Sequence, residues 1–208
     1  NDFYDPKRKW SNIASALKHK NFTLIKKDIL DFSSSDIPSS FIPHPSSLVV
    51  IHLAARAGVR PSLENPELYE RVNIGGTLHL LELMKSLNIR QMIFGSSSSV
   101  YGNSPVPFSE DAECIPLSPY GVTKRTGELF CQAYSTLYDM RIACLRFFTV
   151  YGPGNRPDMA AYRFLDSIVH GRSIAVFGRN TMRDFTFVDD IVDGIMMTLT
   201  RLPSRKLT

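Results

Sequence analysis

The stretch Leu48-Val-Val-Ile-His-Leu53 decides the fold class of this chain. Such a continuous apolar run is typical of a strand that is covered on both faces in a parallel sheet. A long helical pattern with proline at its start follows over Pro66–Leu87, and a second short strand pattern, Gln91–Phe94, comes after it. A strand, a helix and a strand in this order predict a parallel sheet with helices on both faces.

The same alternation continues on both sides of this stretch. Before it, Pro6–Lys20 has the apolar spacing of a helix, Phe22–Lys26 is a short β-type run, and Ser33–Ser47 is typical of a loop. After it, the sequence predicts a helix that begins at Ser118-Pro119, a strand over Arg141–Phe148, a helix over 161–170, a short strand over Ile174–Phe177 and a helix over Ile191–Leu199. We therefore predict an α/β fold with a doubly wound parallel sheet.

Composition narrows the class of protein. The chain has 208 residues, of which 43% are hydrophobic and 21% charged, as in a soluble globular protein of one large domain or one domain with part of a second. The net charge of +4 is small and predicts no nucleic-acid partner, and no apolar run is long enough to span a membrane. The histidines form no metal-binding pair, so we predict no metal site. The odd number of cysteines predicts reduced thiols and a cytoplasmic location (Cys114, Cys131 and Cys144).

The unusual segments follow the predicted strands. Ala54–Arg60 comes after the first strand of the central stretch, Ser96–Ser99 after the second and Thr149–Met159 after the third. In parallel sheets, ligands bind beyond the carboxyl ends of the strands. Tyr120 and Lys124 begin the helix between the last two of these segments. The sequence therefore predicts one site at this edge of the sheet.

The spacing of Tyr120 and Lys124 has a chemical meaning. Residues four apart on a helix share a face, so the phenol and the ammonium point the same way. A free tyrosine has a pKa of about 10, and a cation held close favours the phenolate and lowers that pKa. We therefore predict that Tyr120 transfers protons.

Several motifs in order along the chain give a resemblance to a known family. They are His52-Leu-Ala-Ala55, Ser99-Val-Tyr-Gly102, Tyr120-x-x-x-Lys124, Leu145-Arg-Phe-Phe-Thr-Val-Tyr-Gly-Pro153 and Arg183-Asp-Phe. The chain resembles the extended short-chain dehydrogenase/reductases of the NAD-dependent epimerase/dehydratase family. It is most like the UDP-glucuronate 4-epimerase branch because of Ala57-Gly-Val-Arg60, Ser96–Ser99 and Asn155-Arg-Pro-Asp-Met159.

The resemblance implies a Rossmann-like doubly wound sheet with part of a small substrate-binding region. The expected domains are residues 1–150, for the dinucleotide, and residues 151–208, for part of the substrate region with a helix that returns to the main domain. The glycine-rich turn of the family, which meets the pyrophosphate, is absent, and so is the acidic residue that selects NAD over NADP. We therefore expect an N-terminally truncated fragment, and the resemblance leaves open whether this chain binds the cofactor.

The resemblance also implies roles for individual residues. Tyr120 would take a proton from the sugar 4-hydroxyl, Lys124 would hold the nicotinamide ribose, and Ser97 would hydrogen-bond the reacting oxygen, with NAD as the cofactor. The expected cofactor contacts are Asp28, Ile29, Leu53, Ala54, Ala55, Tyr120, Lys124 and Phe148. The expected contacts of the UDP-sugar are Arg60, Ser98, Ser99, Thr149, Arg156 and Arg183.

Three readings of function remain at this point. The first is interconversion of UDP-glucuronate and UDP-galacturonate through a 4-keto intermediate, since neutral hydroxyl groups of Ser98 and Ser99 suit a carboxylate. The second is the same reaction on a neutral or N-acetylated UDP-sugar, and the third is a non-catalytic nucleotide-sugar-binding subunit. Dehydratases and decarboxylases of the family carry acidic residues where this chain has Ser98 and Ser99, which disfavours both. The family also implies a homodimer through the helices that start near Pro66 and Ser118.

Overall fold

The computed structural model describes residues 3–38, 40, 47–176 and 182–202. They divide into two compact units. The sheet unit comprises the described residues within 27–147 and 192–208, and the smaller unit those within 1–26 and 148–191. The observed units thus group the first residues with a later part of the chain, whereas the predicted division into 1–150 and 151–208 stays a prediction.

Three parallel strands form the centre of the sheet unit. They lie in the order β1 (Val49–His52), β2 (Gln91–Ser97) and β3 (Arg141–Phe147). In this register Val50 pairs with Met92, which pairs with Ile142. Every residue of β2 is buried, as expected for the middle strand of a covered sheet. The predicted α/β class and the parallel pairing are confirmed.

The connection from β1 to β2 is helical throughout most of its length. Helix α2 spans Val59–Glu64, α3 spans Pro66–Tyr69, and a π-helical turn over Glu70–Gly75 leads into α4 (Gly76–Ser86). The side chain of Asn65 accepts a hydrogen bond from the Leu68 N–H at 3.1 Å, which caps α3 at the proline predicted to begin it. The predicted helix over 66–87 is therefore confirmed, but a π turn interrupts it.

Helix α5 (Pro119–Tyr138) crosses from the serine-rich end of β2 back to the start of β3. Ser118 caps it, since its Oγ accepts a hydrogen bond from the Gly121 N–H at 3.1 Å, and Pro119 occupies the first turn. The predicted start of this helix is confirmed. The last helix, α7, spans Val188–Arg201 and begins three residues earlier than predicted.

The hydrophobic core of the sheet unit lies between the strands and helices α4 and α5. Gly127 allows α5 to approach β2, because a Cβ there would lie 2.5 Å from Cζ of Phe94. The buried residues of this core are Leu81, Met84, Ile89, Met92, Phe94, Cys131, Tyr134, Met140 and Ile142. The packing of these side chains fixes α5 against the sheet.

The smaller unit contains helix α1 (Pro6–Ile13), a pair of short parallel strands, β4 (Thr149–Tyr151) and β5 (Phe185–Phe187), and helix α6 (Ala160–Val169). Thr149 pairs with Phe185 in the register of the two strands. Arg8 Nη2 donates a hydrogen bond of 2.8 Å to the Tyr162 hydroxyl, so α1 is tied to α6. The sequence did not predict β4 and β5 as a pair.

Three local predictions were wrong. Residues 22–26 form no strand, because a β-type run needs a partner strand and none among the described residues pairs with it. Residues 174–176 are also outside any strand, and Phe177 lies outside the described residues. The helix predicted over 6–20 ends at Ile13, and a separate 3₁₀ turn follows over Ala16–Lys18.

Candidate functional site

The site in the sheet unit is built around the first turns of α5. A Cβ on Gly121 would lie 2.6 Å from the carbonyl oxygen of Ser99, so only glycine lets the helix come this close to the serine-rich segment that ends β2. We call this segment, Ser97–Ser99, the serine turn. The residues predicted for catalysis therefore lie on two segments that are in direct contact.

Tyr120 is held by elements that follow β1. Its backbone N–H donates a 3.1 Å hydrogen bond to Ser62 Oγ on α2. Its ring meets the ring of Tyr69 edge to face, with centroids 6.3 Å apart. The Tyr69 hydroxyl in turn donates to the carbonyl of Ala57 at 2.7 Å. The loop after β1 and helix α5 are thereby fixed with respect to each other.

Lys124 is a buried cation at the end of the sheet. Its side chain is 5% exposed, and Nζ donates a 2.5 Å hydrogen bond to the carbonyl of Gly95. Nζ also lies 5.1 Å from the centroid of the Phe94 ring. Burial lowers the pKa of Lys124 to about 8, because a desolvated ammonium is disfavoured. Lys124 is thus mostly a cation at neutral pH, and it loses its proton at a pH only slightly higher.

The serine turn carries three hydroxyl groups at the carboxyl end of β2. Ser97 is buried, and its Oγ accepts a hydrogen bond from the Ser99 N–H at 3.2 Å. Ser98 and Ser99 are half-buried in the 3₁₀ turn that follows. Ser97 can donate its hydroxyl hydrogen while its oxygen accepts this bond.

A buried polar network supports the site, and the sequence analysis missed it. Asn73, in the π turn, accepts a hydrogen bond from the Arg56 N–H at 2.7 Å and donates to the Arg56 carbonyl at 3.0 Å. Its amide also donates to Thr123 Oγ1 at 2.9 Å, and Thr123 donates to the Tyr120 carbonyl at 2.8 Å. The signal in the sequence was Asn73, a polar residue within the apolar pattern of a helix. A buried amide is expected to be hydrogen-bonded, so such a residue indicates a buried polar network.

His52, at the end of β1, belongs to the same network. Its Nε2 lies 3.0 Å from Thr77 Oγ1, which donates to the carbonyl of Asn73 at 2.6 Å. Burial and, to a lesser extent, the charge of Lys124 together lower the pKa of His52 to about 4. His52 is therefore neutral at physiological pH and acts as a structural hydrogen-bonding group.

The residues predicted to contact the cofactor lie on three segments of the sheet unit, except Phe148, which is half-buried in the smaller unit. Leu53 and Ala54 are exposed just after β1, and Ala55 is half-buried. The side chain of Leu53 lies against Gly95, where an added Cβ would be 2.8 Å from Cδ2 of Leu53. The structure thus brings Leu53 to the residue that accepts the hydrogen bond from the Lys124 ammonium.

Asp28 and Ile29 lie in a short turn beside α4. Asp28 Oδ1 accepts a 3.0 Å hydrogen bond from the Leu30 N–H and caps a 3₁₀ turn. Ile29 packs on the helix, since a Cβ on Gly76 would lie 2.9 Å from its Cγ2. Their contact with a cofactor stays a prediction.

The residues predicted to bind the sugar are divided between the units. Arg60 is exposed on α2 of the sheet unit. In the smaller unit, Thr149 is half-buried, and its N–H donates to the Asp184 carbonyl at 3.2 Å.

Two arginines of the smaller unit were also predicted to bind the sugar. Arg156 forms an ion pair of 3.1 Å with Asp158 and lies over the ring of Phe3, while the exposed Arg183 donates to the Met182 carbonyl at 2.7 Å. Like those of Phe148 and Thr149, their roles stay predictions.

No helix among the described residues is both long and apolar enough to cross a membrane. No group of three or more His, Cys, Asp or Glu side chains within the described ranges is arranged to hold a metal ion.

Comparison with known proteins gives the family. Residues 5–206 match the model of the NAD dependent epimerase/dehydratase family. The UDP-glucuronate 4-epimerase of Thermodesulfobacterium geofontis is 44% identical over 201 residues, which cover 96% of this chain and 61% of that protein. UDP-glucuronate 4-epimerase 4 of Arabidopsis thaliana is 42% identical over 206 residues, which cover 96% of this chain and 46% of that protein. The chain therefore spans only part of the length of these relatives.

Solved structures agree with the sequence relatives. The UDP-glucuronic acid 4-epimerase from Bacillus cereus, in complex with UDP-glucuronic acid and NAD, superposes with a TM-score of 0.84 at 39% identity, covering 93% of this chain and 60% of that one. The UDP-N-acetylglucosamine 4-epimerase from Methanobrevibacter ruminantium superposes with a TM-score of 0.78 at 31% identity, covering 88% of this chain and 59% of that one. The predicted Rossmann-like fold is confirmed, and the chain belongs to the NAD dependent epimerase/dehydratase family.

Proposed function

We propose that the complete natural protein is an NAD-dependent nucleotide-sugar 4-epimerase that interconverts UDP-glucuronate and UDP-galacturonate. The observation that carries this proposal is the buried Lys124 ammonium, one helical turn from Tyr120 and bonded to the strand that ends in the serine turn. The UDP-glucuronate 4-epimerases among the relatives support the choice of sugar.

The residues present fit the nicotinamide half of a cofactor site. Leu53 and Ala54 offer exposed apolar surface beside Gly95, on which a flat ring can lie. The Lys124 ammonium donates one of its three N–H groups to the Gly95 carbonyl and can donate the others to ribose hydroxyls. When bound, NAD supplies a hydride acceptor and donor for C4 of the sugar.

The side chains of the site then move and hold protons. The Tyr120 phenolate accepts the proton of the 4-hydroxyl as that carbon is oxidised to a ketone, and it returns the proton when the ketone is reduced on its other face. Lys124 supplies a positive charge that favours the phenolate. Ser97 donates a hydrogen bond to the oxygen at C4, which holds the sugar in line during both steps.

The serine turn is the proposed contact of the sugar carboxylate. Ser98 and Ser99 are neutral hydrogen-bond donors, so they hold a carboxylate without neutralising it. A carboxylate held in this way is fixed while the neighbouring keto group is present, which limits decarboxylation. Thr149, Arg60, Arg156 and Arg183 remain candidate substrate contacts on the strength of the family resemblance.

Replacing Tyr120 by phenylalanine tests the mechanism. Tyr120→Phe keeps the ring that packs on Tyr69 but removes the group that transfers the proton, so we expect kcat to fall by at least about 10²-fold. Tyr138→Phe, at the far end of α5, is the matched control and is expected to retain activity. Interconversion of the two sugars is followed by chromatography of the products. Near-normal turnover by Tyr120→Phe would show that the mechanism is wrong.

A second candidate is epimerisation of a neutral or N-acetylated UDP-sugar. The structural similarity to a UDP-N-acetylglucosamine 4-epimerase favours it. The double replacement of Ser98 and Ser99 by alanine separates the two readings. If the carboxylate binds at the serine turn, kcat/KM for UDP-glucuronate falls by about tenfold or more, while that for UDP-glucose changes little. If the sugar preference is unchanged, the second candidate is favoured.

A third candidate is a non-catalytic nucleotide-sugar-binding subunit. Titration calorimetry of NAD⁺ into the 208-residue chain discriminates, since an enzyme site that is complete in this chain must release or take up heat on binding. Binding supports the enzyme, and no binding supports the third candidate or a fragment that lacks part of the cofactor site.

We further propose a homodimer formed through α4 and α5. Helix α5 exposes Val122, Leu129 and Leu137 to solvent, which is an apolar surface that a second copy of the helix pair can cover. Leu129→Glu is expected to give a monomer in sedimentation at micromolar concentration. Leu165→Glu, at a more exposed position on α6, is the control and should leave the mass unchanged. A monomeric mass for the unaltered chain would contradict the proposal.

We also propose that the protein acts in the cytoplasm. All three cysteines carry free thiols, and free thiols persist in a reducing compartment (Cys114, Cys131 and Cys144). Fractionation of cells that produce the natural protein tests this, and recovery in the secreted fraction would contradict it.

A further inference from the structure

A buried carboxylate joins three elements of the sheet unit beside the proposed site. Glu128, on α5, is 5% exposed. Its Oε1 accepts hydrogen bonds from Ser96 Oγ at 2.6 Å and from Arg146 Nε at 2.9 Å. Its Oε2 accepts from Arg146 Nη2 at 3.1 Å and from Arg125 Nη1 at 2.8 Å. The carboxylate is thus bound to strand β2 through Ser96 and to strand β3 through a bidentate contact with Arg146.

Both members of the pair are ionised. Burial raises the pKa of Glu128, but hydrogen bonds from Arg146, Ser96 and Arg125 outweigh it and hold the pKa below its ordinary value. The hydrogen bond to Glu128 raises the pKa of Arg146. A buried ion pair with good geometry and further hydrogen bonds fixes the relative positions of its elements more than it adds to stability.

Arg146 also holds the chain that follows the serine turn. Its guanidinium carbon lies 4.9 Å from the centroid of the Tyr101 ring. The Tyr101 ring also stacks on the ring of Phe108, with centroids 4.7 Å apart and 6° between the ring planes. Arg146 Nη1 donates to the carbonyl of Glu110 at 3.1 Å. One side chain of β3 therefore binds both α5 and the segment that leaves the serine turn.

The contacts of Glu128 lie next to those of the residues proposed to react. Lys124 and Glu128 are one helical turn apart on α5, and they bind consecutive residues of β2, Gly95 and Ser96. The next residue of β2 is Ser97. Glu128 is thus one helical turn from Lys124 on α5, and its partner Ser96 directly precedes Ser97 on β2. The Glu128–Arg146 pair is therefore adjacent to both segments that supply the proposed proton-transfer groups.

We propose that Glu128 and Arg146 are positioning residues, whose ion pair holds the serine turn at the correct distance from the turn of α5 that carries Tyr120 and Lys124. They touch no reacting atom and act through Ser96 and the path of β2. The inference rests on the proposed epimerase function for its kinetic consequence. Its structural consequence is independent of that function.

Kinetics of the complete natural chain that carries this sequence test the first consequence. Arg146→Met removes the ion pair between β3 and α5 but keeps a long side chain over Tyr101. We expect kcat for UDP-glucuronate to fall by about ten- to a hundredfold, while KM and the Kd for NAD⁺ change by less than about twofold, because misplaced reacting groups slow the chemical step. Arg146→Lys, which keeps one charge without the two-pronged geometry, is expected to give an intermediate kcat.

Arg125→Met is the matched control. Arg125 binds the same carboxylate, but from the same helix, so its loss removes a charge partner without freeing any element from another. Its kcat is expected to stay within about twofold of the unaltered protein. Equal kcat values for Arg146→Met and Arg125→Met would overturn the proposal, as would an equal loss of kcat and of NAD⁺ affinity in Arg146→Met.

Amide hydrogen exchange tests the second consequence without substrate or turnover. In Arg146→Met, amides of residues 95–101 and of 119–128 are expected to exchange faster together, and in Arg125→Met neither segment changes. If this pattern is found while the unaltered protein does not epimerise UDP-glucuronate, the proposed function fails and the positioning role stands. If the unaltered protein epimerises the sugar and Arg146→Met changes neither exchange nor kcat, the positioning role is overturned and the function stands. If Arg146→Met does not fold, the same two measurements are made on Arg146→Lys.

Discussion

Replacing Lys124 by methionine is expected to remove a cost in folding free energy that the unaltered chain carries at neutral pH. The pKa of Lys124 is lowered from 10.5 to about 8 because its ammonium is buried. The difference of about 2.5 between these values corresponds to about 3 kcal/mol at 1.36 kcal/mol per pKa unit. Methionine has a similar length and no charge, so it occupies the same space without this cost.

The pH dependence follows from the direction of the change. Below about pH 8, Lys124 is charged in both the folded and the unfolded chain, and the full cost is present. Between about pH 8 and 10.5 the folded chain loses the proton before the unfolded chain does, so the stability contributed at this site rises with pH. The Lys124→Met variant has no such rise.

The comparison of the two proteins isolates this effect. The variant also loses the hydrogen bond to the Gly95 carbonyl, which costs about 1–3 kcal/mol at every pH. We compare the unfolding free energy of Lys124→Met with that of the unaltered chain. The value for the variant minus the value for the unaltered chain is expected to fall by about 2–3 kcal/mol between pH 7 and pH 10. Urea unfolding followed by circular dichroism at pH 7, 8, 9 and 10 measures it.

A surface lysine provides the control for this experiment. Lys85 pairs with Glu82, and the hydrogen bond from that pair raises the pKa of Lys85 instead of lowering it. Lys85→Met is expected to show no such fall over the same range. Parallel pH profiles of Lys124→Met and the unaltered chain would refute the reasoning. The Lys124→Met protein is also expected to lose epimerase activity, since stability and activity conflict at a buried functional charge.

Four further substitutions have defined outcomes. Gly127→Ala is expected to destabilise the chain by about 1–3 kcal/mol in urea unfolding, because its Cβ would lie 2.5 Å from an aromatic ring of β2. Gly194→Ala has open space at its Cβ and is expected to stabilise the chain by about 1 kcal/mol. His52→Gln is expected to reduce the acid sensitivity of the chain: burial lowers the His52 pKa from 6.5 to about 4, so the unaltered chain loses about 3 kcal/mol at this site as the pH falls through that range. Gly121→Ala is expected to lower kcat by about tenfold or more in the epimerase assay, because its Cβ would lie 2.6 Å from the Ser99 carbonyl oxygen. Equal stability changes for Gly127→Ala and Gly194→Ala would contradict the first prediction. An unchanged acid profile of His52→Gln or an unchanged kcat of Gly121→Ala would contradict the other two.

Much of the sheet unit could be predicted from local patterns. The three parallel strands follow from short apolar runs, and the start of α5 follows from the pair Ser118-Pro119, since the side chain that caps a helix is its immediate neighbour in sequence. The family is confirmed because its motifs occur in order over most of the chain. The β-type run over residues 22–26 failed as a prediction, because strand formation depends on a partner elsewhere in the chain.

The sequence by itself determined that Tyr120 and Lys124 share a helix face, because the period of the helix decides it. Only the tertiary structure decided what surrounds that face. Asn73 is 50 residues from Thr123, and Glu128 is 32 residues from Ser96 and 18 from Arg146, yet each pair is joined by hydrogen bonds. Contacts over such separations depend on how α5 packs against the sheet and the π turn, and no local pattern encodes that packing. The proposed reacting pair is therefore visible in the sequence, whereas the groups that hold it in place emerge from the folded chain.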